Sequence, residues 1–339
     1  MSRIAIIGAG AWGTGLAAVA GRRGDHEVRL WAFEKEVCDS IAQSRINSVF
    51  LPDCPLPSSI CATNDFRQAL SGAEIVVSVM PSHHCRRVFE HMAQWLQPQM
   101  LFVSATKGLE NDTVLRMSEV IHEVVERFCH FRPRVAALSG PSFAKEVAQK
   151  SPTAVSVASA DQLLATRVQK EFSDPSFRIY INDDVTGVEL GGALKNVIAI
   201  AAGVCDGLGL GHNTVAALIT RGLVEITRLA VACGGKPQTM AGLAGMGDLV
   251  LTCTGGLSRN RSVGVALGRG QSLDEIIAGM HGMVAEGVLT TKAAIGLAQK
   301  RKVEMPITEQ MYAILNEGKS PQDAIRELMT RPGKAEDRF

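Results

Sequence analysis

A chain of 339 residues is long enough for two domains, because a single hydrophobic core rarely serves more than about 250–300 residues. Its 35 basic and 34 acidic residues nearly cancel to a net charge of +1, which argues against nucleic-acid or membrane-surface partners. The eight scattered cysteines form no C-x-x-C pair and no metal-type spacing, and no apolar run approaches the roughly 18 residues of a membrane span. We therefore expect reduced thiols, no metal site, no membrane span and a cytoplasmic protein.

The chain opens on a predicted strand, a glycine turn and a helix. The apolar run Arg3–Ile7 leads directly into Gly8-Ala9-Gly10-Ala11-Trp12-Gly13. In a G-x-G-x-x-G turn the first glycine permits the tight turn, the second lets the backbone approach a pyrophosphate, and the third lets helix and strand pack closely. The phosphates would bind the N–H groups that begin the helix, around Ala11. The context on both sides predicts a dinucleotide site rather than a purely structural turn.

A second strand, Val28–Trp31, precedes the position expected to hold the adenosine ribose. Glu34 lies at about the right distance to accept a hydrogen bond from that ribose. Glu34 could equally be the solvated start of a helix. Its neighbours Phe33 and Lys35, with the upstream pair Arg22 and Arg23, leave the choice between NAD and NADP open.

Strands and helices continue to alternate, which predicts a doubly wound parallel sheet of the Rossmann type. After the Pro-rich loop Leu51–Ser59, we expect strands at Ile75–Met80, Leu101–Ser104, Val135–Leu138, Thr153–Val157 and Phe177–Ile181. Strand patterns then cease and helical patterns rich in Ala, Gly and Leu follow. We therefore predict an α/β protein with a dinucleotide-binding domain over residues 1–184 and an all-α substrate-binding and catalytic domain over residues 185–339.

Polar residues that follow predicted strands are the first candidates for a ligand site, since ligands bind outside the carboxyl ends of parallel strands. Lys107 and the segment Gly140-Pro141-Ser142 occupy such positions. A lysine in a strand-end turn is more often a solvent-facing charge, so position alone does not identify Lys107 as functional.

Lys195 is the strongest candidate for acid–base chemistry. It interrupts a helical run of small and apolar residues and would share its helix face with Gly191, Gly192, Ile198 and Ala199. An ammonium without a partner on such a face is costly to bury and loses its proton more easily than a free lysine. The alternative is a lysine whose ammonium reaches solvent along the surface.

A third group begins at Asp248 and Thr252, which are four residues apart and would share a helix face. Asp248 could instead be an ordinary N-cap. Ser258-Arg259-Asn260-Arg261 opens the next helical pattern with a capping hydroxyl, backbone N–H groups and guanidinium groups, which predicts a second phosphate site. Arg221 and Glu225, also four apart, are expected to be a surface ion pair.

With these motifs in order, the chain resembles the bacterial NAD(P)-dependent sn-glycerol-3-phosphate dehydrogenases from Ile4 to about residue 330. The matching strings are Gly8–Thr14, Ala105–Glu110, Ser139–Glu146, Gly191–Ala199, Gly245–Leu249, Ser258–Asn260 and Glu286-Gly287. Two departures are Ala11, where many members carry serine, and Phe33, where others carry histidine or arginine. Both concern the preference between NAD and NADP.

The resemblance implies an oxidoreductase that interconverts dihydroxyacetone phosphate and sn-glycerol 3-phosphate. It implies that Lys195 donates and accepts the proton at the C2 oxygen and that Lys107 contacts both substrate and cofactor. It further implies substrate contacts at Gly140, Ser142, Asn196, Asp248, Ser258, Arg259 and Asn260, and nucleotide contacts at Trp12, Phe33, Ala144, Arg259, Val284 and Glu286. A homodimer and a role in supplying glycerol 3-phosphate for phospholipid synthesis are also implied.

Two other functions stay open at this point. A ketopantoate-type or other hydroxyacid reductase would also join a Rossmann domain to a helical domain with a catalytic lysine, but it has less need of the phosphate groups at Ser258–Arg261. A regulatory protein that only senses NAD(H) would have no reason to place Lys195 on an apolar face.

Overall fold

A computed structural model of the chain describes residues 1–280, 285–333 and 335–336. The structure divides into two compact units. The first contains Met1–Lys107 and Arg116–Val185, and the second contains Gly108–Leu115 and Thr186–Phe339. Gly108–Leu115 thus belongs with the second unit, whereas the sequence division places it in the first domain.

In the first unit the described strands form one sheet in the order β3-β2-β1-β4-β5-β6-β7-β8. The strands are β1 (Ser2–Ile7), β2 (His26–Trp31), β3 (Ile60–Thr63), β4 (Ile75–Ser78), β5 (Leu101–Ser104), β6 (Arg134–Ser139), β7 (Thr153–Ala158) and β8 (Phe177–Asn182). The helices are α1 (Ala11–Arg22), α2 (Lys35–Ser44), α3 (Phe66–Leu70), α4 (Cys85–Met92), α5 (Met117–Cys129), α6 (Ala144–Ala148) and α7 (Gln162–Phe172).

The strand order reverses at β1: β2 and β3 follow on one side of β1, and β4 to β8 lie on its other side. In such a sheet the ligand crevice lies at that point, which is where the glycine turn follows β1.

The predicted doubly wound α/β fold is confirmed, with two differences. The prediction missed β3, a four-residue edge strand that pairs with β2 from Val28↔Ile60 to Trp31↔Thr63. The sheet is also mixed, because β6 and β7 pair antiparallel while the other pairs are parallel. A parallel return needs a helix that runs back along the strand, whereas the five-residue α6 spans only about 7.5 Å.

The second unit is built around α8 (Val185–Gly207), which is buried continuously from Gly187 to Cys205. A helix that is apolar all round must be covered on every side. The other helices of this unit are α9 (His212–Ala232), α10 (Pro237–Met240), α11 (Asp248–Thr254), α12 (Arg259–Gly268), α13 (Leu273–Ala278), α14 (Glu286–Arg301), α15 (Pro306–Asn316) and α16 (Pro321–Met329). Within the described residues, α8 is the only single helix long and apolar enough to cross a membrane, and its apolar window is entirely buried in the protein.

Glycines allow α8 to approach its neighbours closely. A Cβ at Gly191 would lie 2.5 Å from the carbonyl oxygen of Ala244, and one at Gly203 would lie 2.0 Å from that of Arg261. Neither position can hold a larger residue without moving backbone. Lys195 follows Gly191 by one helical turn, so this close contact holds the lysine beside the segment that leads into α11.

The prediction of a surface ion pair at Glu225 is wrong. Glu225 is 4% exposed, and its carboxylate accepts hydrogen bonds from the backbone N–H of Ile307 (2.6 Å) and from the N–H and hydroxyl of Thr308 (both 3.2 Å). The carboxylate therefore caps the first turn of α15 from a different helix. Burial raises the pKa of Glu225 to about 7, against the lowering effect of these hydrogen bonds and of Arg228. The i,i+4 spacing predicted a partner on the same helix and could not identify one 82 residues away.

Candidate active site

The glycine turn Gly8–Gly13 joins β1 to α1 in the first unit. Gly8 has φ +118°, and a Cβ there would lie 2.1 Å from the carbonyl oxygen of Val79. A Cβ at Gly13 would lie 1.8 Å from the carbonyl oxygen of Gly8. Both glycines are therefore required for the chain to fold this way.

Gly10 is different. A Cβ at this position would have none of the described atoms within 4 Å. Gly10 is the N-cap of α1, and the part of the chain that the structure describes offers no side chain to cap this helix. The turn thus presents the first N–H groups of a helix, around Ala11 and Trp12, next to an open space. A dinucleotide's pyrophosphate fits such a site by charge and by size.

Four of the predicted site residues of the first unit lie together. Lys107 Nζ donates to the carbonyl oxygen of Gly140 at 3.0 Å, and the Ser142 hydroxyl donates to the same oxygen at 2.9 Å. Lys107 Nζ also lies 5.9 Å from the ring centroid of Trp12. Gly140 has φ +146°, and a Cβ there would lie 2.8 Å from the Cα of Val155. Lys107 therefore contacts the carbonyl of Gly140 on one side and Trp12, near the start of α1, on the other.

Three residues predicted to contact the nucleotide, Phe33, Glu34 and Ala144, lie at or just before the starts of other helices. Phe33 is 73% exposed just after β2. Glu34 is the N-cap of α2, and its carboxylate makes no capping hydrogen bond to a described residue. Ala144 opens α6 beside α1, since a Cβ at Gly15 would lie 3.7 Å from the Cβ of Ala144.

In the second unit Lys195, Asp248 and Thr252 form what we call the lysine cluster. Lys195 Nζ forms an ion pair with Asp248 Oδ1 and donates to the Thr252 hydroxyl oxygen at 2.9 Å. The Thr252 hydroxyl in turn donates to the backbone carbonyl oxygen of Asp248 at 2.6 Å. Asp248 and Thr252 share one face of α11, as their spacing predicts. The lysine is buried, as predicted, but its charge is balanced by Asp248 and it does not lie against apolar groups alone.

Asn196 and Asn260 connect three helices next to the lysine cluster. Asn260 Nδ2 donates to Asn196 Oδ1 at 2.9 Å, and Asn260 Oδ1 accepts from the backbone N–H of Gly287 at 2.9 Å. A Cβ at Gly287 would lie 2.6 Å from the backbone oxygen of Asn196. These amides thus hold α8, α12 and α14 together.

The predicted phosphate site at the start of α12 is present only in part. The Ser258 hydroxyl caps the helix by accepting from the N–H of Arg261 at 3.2 Å. Arg261 forms an ion pair with Asp206 at 2.7 Å, so its guanidinium already has a carboxylate partner. Desolvation lowers the pKa of Arg259, and the charge of Glu286 at the start of α14 acts in the opposite direction. Val284 lies outside the described residues.

Asn47 is a fully buried residue that contacts the glycine turn and that no sequence motif identifies. Its sequence signal is a single asparagine in the loop after α2, which no motif distinguishes. Each of the eight cysteines is a thiol. Among the described residues, no group of three or more His, Cys, Asp or Glu side chains could hold a metal ion.

Comparison with known proteins gives consistent matches along the chain. Family models described as NAD-dependent glycerol-3-phosphate dehydrogenase N-terminus and C-terminus match residues 3–165 and 184–326. A glycerol-3-phosphate dehydrogenase (NAD(P)+) of Koribacter versatilis is 68% identical over 336 residues, which cover 99% of each chain. One from Acidobacterium capsulatum is 56% identical over 339 residues, covering 99% of this chain and all of that one. The crystal structure of glycerol-3-phosphate dehydrogenase from Coxiella burnetii is similar, with a TM-score of 0.92 and 42% identity over 97% of this chain and 99% of the other.

Proposed function

This chain belongs to the NAD-dependent glycerol-3-phosphate dehydrogenase family, and we propose that Lys195 is its proton donor and acceptor. The reaction interconverts dihydroxyacetone phosphate and sn-glycerol 3-phosphate. The chain is an NAD(P)-dependent oxidoreductase of that family. This membership decides against a ketopantoate-type reductase and against a non-catalytic nucleotide sensor. The observation that carries the role of Lys195 is its buried ion pair with Asp248.

The cofactor is NAD(P)H, which supplies the hydride to the carbonyl carbon. The uncapped start of α1 and the open space at Gly10 support binding of its pyrophosphate there. Further proposed contacts to the nucleotide, which rest on the family resemblance, are Trp12, Phe33, Lys107, Ala144, Arg259, Val284 and Glu286. Glu34 is proposed to bind the adenosine ribose, because it follows the second strand at about the expected distance.

Lys195 would act on the carbonyl oxygen. Negative charge builds on this oxygen during reduction, and a nearby ammonium stabilises it. Lys195 then donates its proton to complete the alcohol, and in the oxidative direction it accepts that proton. A positioned general acid of this kind contributes roughly 10²–10⁴ in rate. Asp248 and Thr252 hold Nζ in place, and the carboxylate favours the charged form that donates.

The substrate phosphate would be bound at the start of α12. We assign it to Arg259, to Asn260 and to the N–H groups of the helix that Ser258 caps. Arg261 is left out of this assignment because Asp206 already pairs with it. In the first unit, Lys107, Gly140 and Ser142 are proposed substrate contacts on the resemblance. Binding the phosphate away from the reacting carbon would orient the carbonyl group.

The finer biological assignments are also proposals. The thiol state of all eight cysteines agrees with a cytoplasmic enzyme. A homodimer, and a role in supplying glycerol 3-phosphate for phospholipid synthesis, are supported by the family resemblance. Light scattering of the purified protein would measure the oligomeric state.

The substrate assignment is tested with a pair of ketones that differ only in the phosphate. Purified protein is given dihydroxyacetone phosphate or dihydroxyacetone, with NADH and separately with NADPH, and loss of reduced-nicotinamide absorbance is followed. We expect kcat/KM to be at least roughly 100-fold higher for the phosphorylated ketone, since the phosphate's binding energy is used to orient the carbonyl. Equal values for the two ketones would contradict the phosphate site.

A further inference from the structure

Asn47 lies in the loop between α2 and β3 and is completely buried in the first unit. Its Nδ2 donates two hydrogen bonds, one to the carbonyl oxygen of Ala9 and one to the hydroxyl of Thr14, both at 2.8 Å. Its Oδ1 accepts from the backbone N–H of Phe50 at 3.0 Å, and its backbone oxygen accepts from Leu51 at 3.0 Å. The side-chain amide therefore uses both of its N–H groups on the glycine turn and the first turns of α1.

Thr14 completes this arrangement from within α1. Its hydroxyl donates to the carbonyl oxygen of Ala9 at 3.2 Å, so that this oxygen receives hydrogen bonds from two side chains. Thr14 and Ala9 are both buried, at 0% and 4% exposure. The Ala9 carbonyl is thus fixed toward the protein interior by groups that lie 5 and 38 residues away in the sequence.

The orientation of this carbonyl decides where the neighbouring N–H points. In a planar trans peptide the carbonyl and the N–H of the following residue point in opposite directions. With the Ala9 oxygen held inward, the N–H of Gly10 points outward from the uncapped start of α1. A glycine-rich turn without this restraint would sample other orientations, because Gly8 and Gly10 restrict the backbone least.

We propose that Asn47 is a positioning residue for the cofactor: it fixes the Ala9–Gly10 peptide so that the turn is preformed for a dinucleotide's pyrophosphate. This inference rests on the cofactor site described under the proposed function and adds a residue outside the glycine motif. The chemistry requires an amide. Aspartate would set a carboxylate against the Ala9 oxygen, and serine is too short to reach both partners.

The test replaces Asn47 by leucine, which has a similar volume and no hydrogen-bonding groups. The dissociation constant of NADH is measured by nicotinamide fluorescence, beside kcat and the KM for dihydroxyacetone phosphate at saturating NADH. We expect Asn47→Leu to raise the dissociation constant about tenfold, because the turn must then be ordered when the nucleotide binds. Turnover at saturating NADH and the KM for the ketone should stay within about twofold, since neither depends on a turn that is already occupied.

Ser159→Ala is the matched control. Ser159 is also buried in the first unit, where its hydroxyl donates to Val135 and accepts from the N–H of Asp161, both at 3.1 Å. This variant should lower the melting temperature and leave NADH binding unchanged. If Asn47→Leu behaved in the same way, with a lower melting temperature and an unchanged dissociation constant, Asn47 would be only a folding residue and the proposal would be overturned.

A second pair of variants keeps the test decisive if Asn47→Leu does not fold. Thr14→Val removes the hydroxyl at constant shape, and Thr14→Ser restores it. We expect weaker NADH binding in the valine variant and recovery to within about twofold of the parent in the serine variant. Equal binding by the two would overturn the proposal. A parent protein that binds NADH and does not reduce dihydroxyacetone phosphate would contradict the proposed function and leave this inference standing.

Discussion

Lys195 Nζ and Asp248 Oδ1 form an ion pair whose side chains are only 7% and 1% exposed. Removing one partner of a buried pair leaves a charge without compensation, which destabilises a protein by about 3–5 kcal/mol. A substitution that simply truncates either residue therefore mixes a loss of stability with a loss of chemistry. Variants that preserve charge or shape separate the two effects.

Asp248→Asn keeps the shape and removes the negative charge beside Lys195. An ammonium that loses a neighbouring carboxylate gives up its proton more easily. The high-pH fall in the rate of ketone reduction should move to lower pH, and kcat should fall by at least about tenfold. The pH profile of kcat measures both. Asp206→Asn removes a carboxylate that pairs with Arg261 in the same unit and should leave the profile in place. An unshifted profile in Asp248→Asn would show that this carboxylate does not govern the proton donor.

Thr252→Val removes one hydrogen bond to Lys195 and keeps the side-chain shape. We expect a loss of about tenfold in kcat, since a hydrogen bond to a charged group contributes about 1.5–3 kcal/mol. Thr252→Ser should recover most of this loss. The control is Thr254→Val on the same helix, where the exposed threonine donates to the backbone carbonyl of Val250 and to no other described residue. If Thr252→Val kept the parent's kcat, Thr252 would have no part in positioning the lysine.

Gly10→Ala should weaken cofactor binding without affecting stability. The added methyl group would enter open space at the start of α1, where we place the pyrophosphate. The dissociation constant of NADH should rise by at least roughly tenfold, and the melting temperature should stay unchanged. Fluorescence titration and thermal unfolding measure these two quantities.

Gly211→Ala is the matched control for Gly10→Ala. Gly211 is the N-cap of α9 with φ −72° and ψ 173°, close to the −63° and 178° of Gly10, and its Cβ would also meet open space among the described atoms. Both measurements should match the parent's in this control. Parent-like NADH binding in Gly10→Ala would place the pyrophosphate elsewhere.

Glu225→Gln should change how stability depends on pH. Burial raises the pKa of Glu225 to about 7 in the folded protein, from an ordinary value of 4.5. Between these values the folded state holds a proton that the unfolded chain has lost, so stability falls as pH rises through this window. The loss is on the order of 3 kcal/mol when the pH lies above both values. Glutamine keeps an acceptor for the N–H groups of α15 and cannot ionise.

Denaturant unfolding at pH 5 and pH 8 measures this effect. The free energy of unfolding should fall less between these two pH values in Glu225→Gln than in the parent. The exposed Glu317 at the end of α15 provides the control, since Glu317→Gln should keep the parent's pH dependence. An equal fall in the parent and in Glu225→Gln would contradict a raised pKa at Glu225.

The sequence predicts those parts of the protein whose signals are local. The apolar run before Gly8 and the glycines after it predict β1, the turn and α1, because both patterns depend on neighbouring residues. The four-residue spacing of Asp248 and Thr252 predicts their common helix face. The partner of Lys195 could not be predicted from the same run, because the contact joins positions 53 residues apart.

Long-range contacts also account for the errors. Glu225 follows an i,i+4 pattern typical of surface pairs, yet it caps a helix that begins 81 residues later, and only the packing of α9 against α15 reveals this. Asn47 is a single polar residue in a loop, and its importance appears only when Ala9 and Thr14 are seen beside it. β6 and β7 pair antiparallel because the connection between them is short. No local sequence pattern indicates the direction in which β7 runs.

The most direct test of the proposed role of Lys195 compares the parent with Lys195→Arg and Lys195→Ala. Arginine retains a positive charge beside Asp248 and does not release a proton in the accessible pH range. NADH oxidation with dihydroxyacetone phosphate is measured for each protein, beside the dissociation constant of NADH in the same samples. We predict that both variants bind NADH within about twofold of the parent and turn over at least roughly 100-fold more slowly. Turnover within a few-fold of the parent in either variant would contradict the account and leave Lys195 as a packing residue.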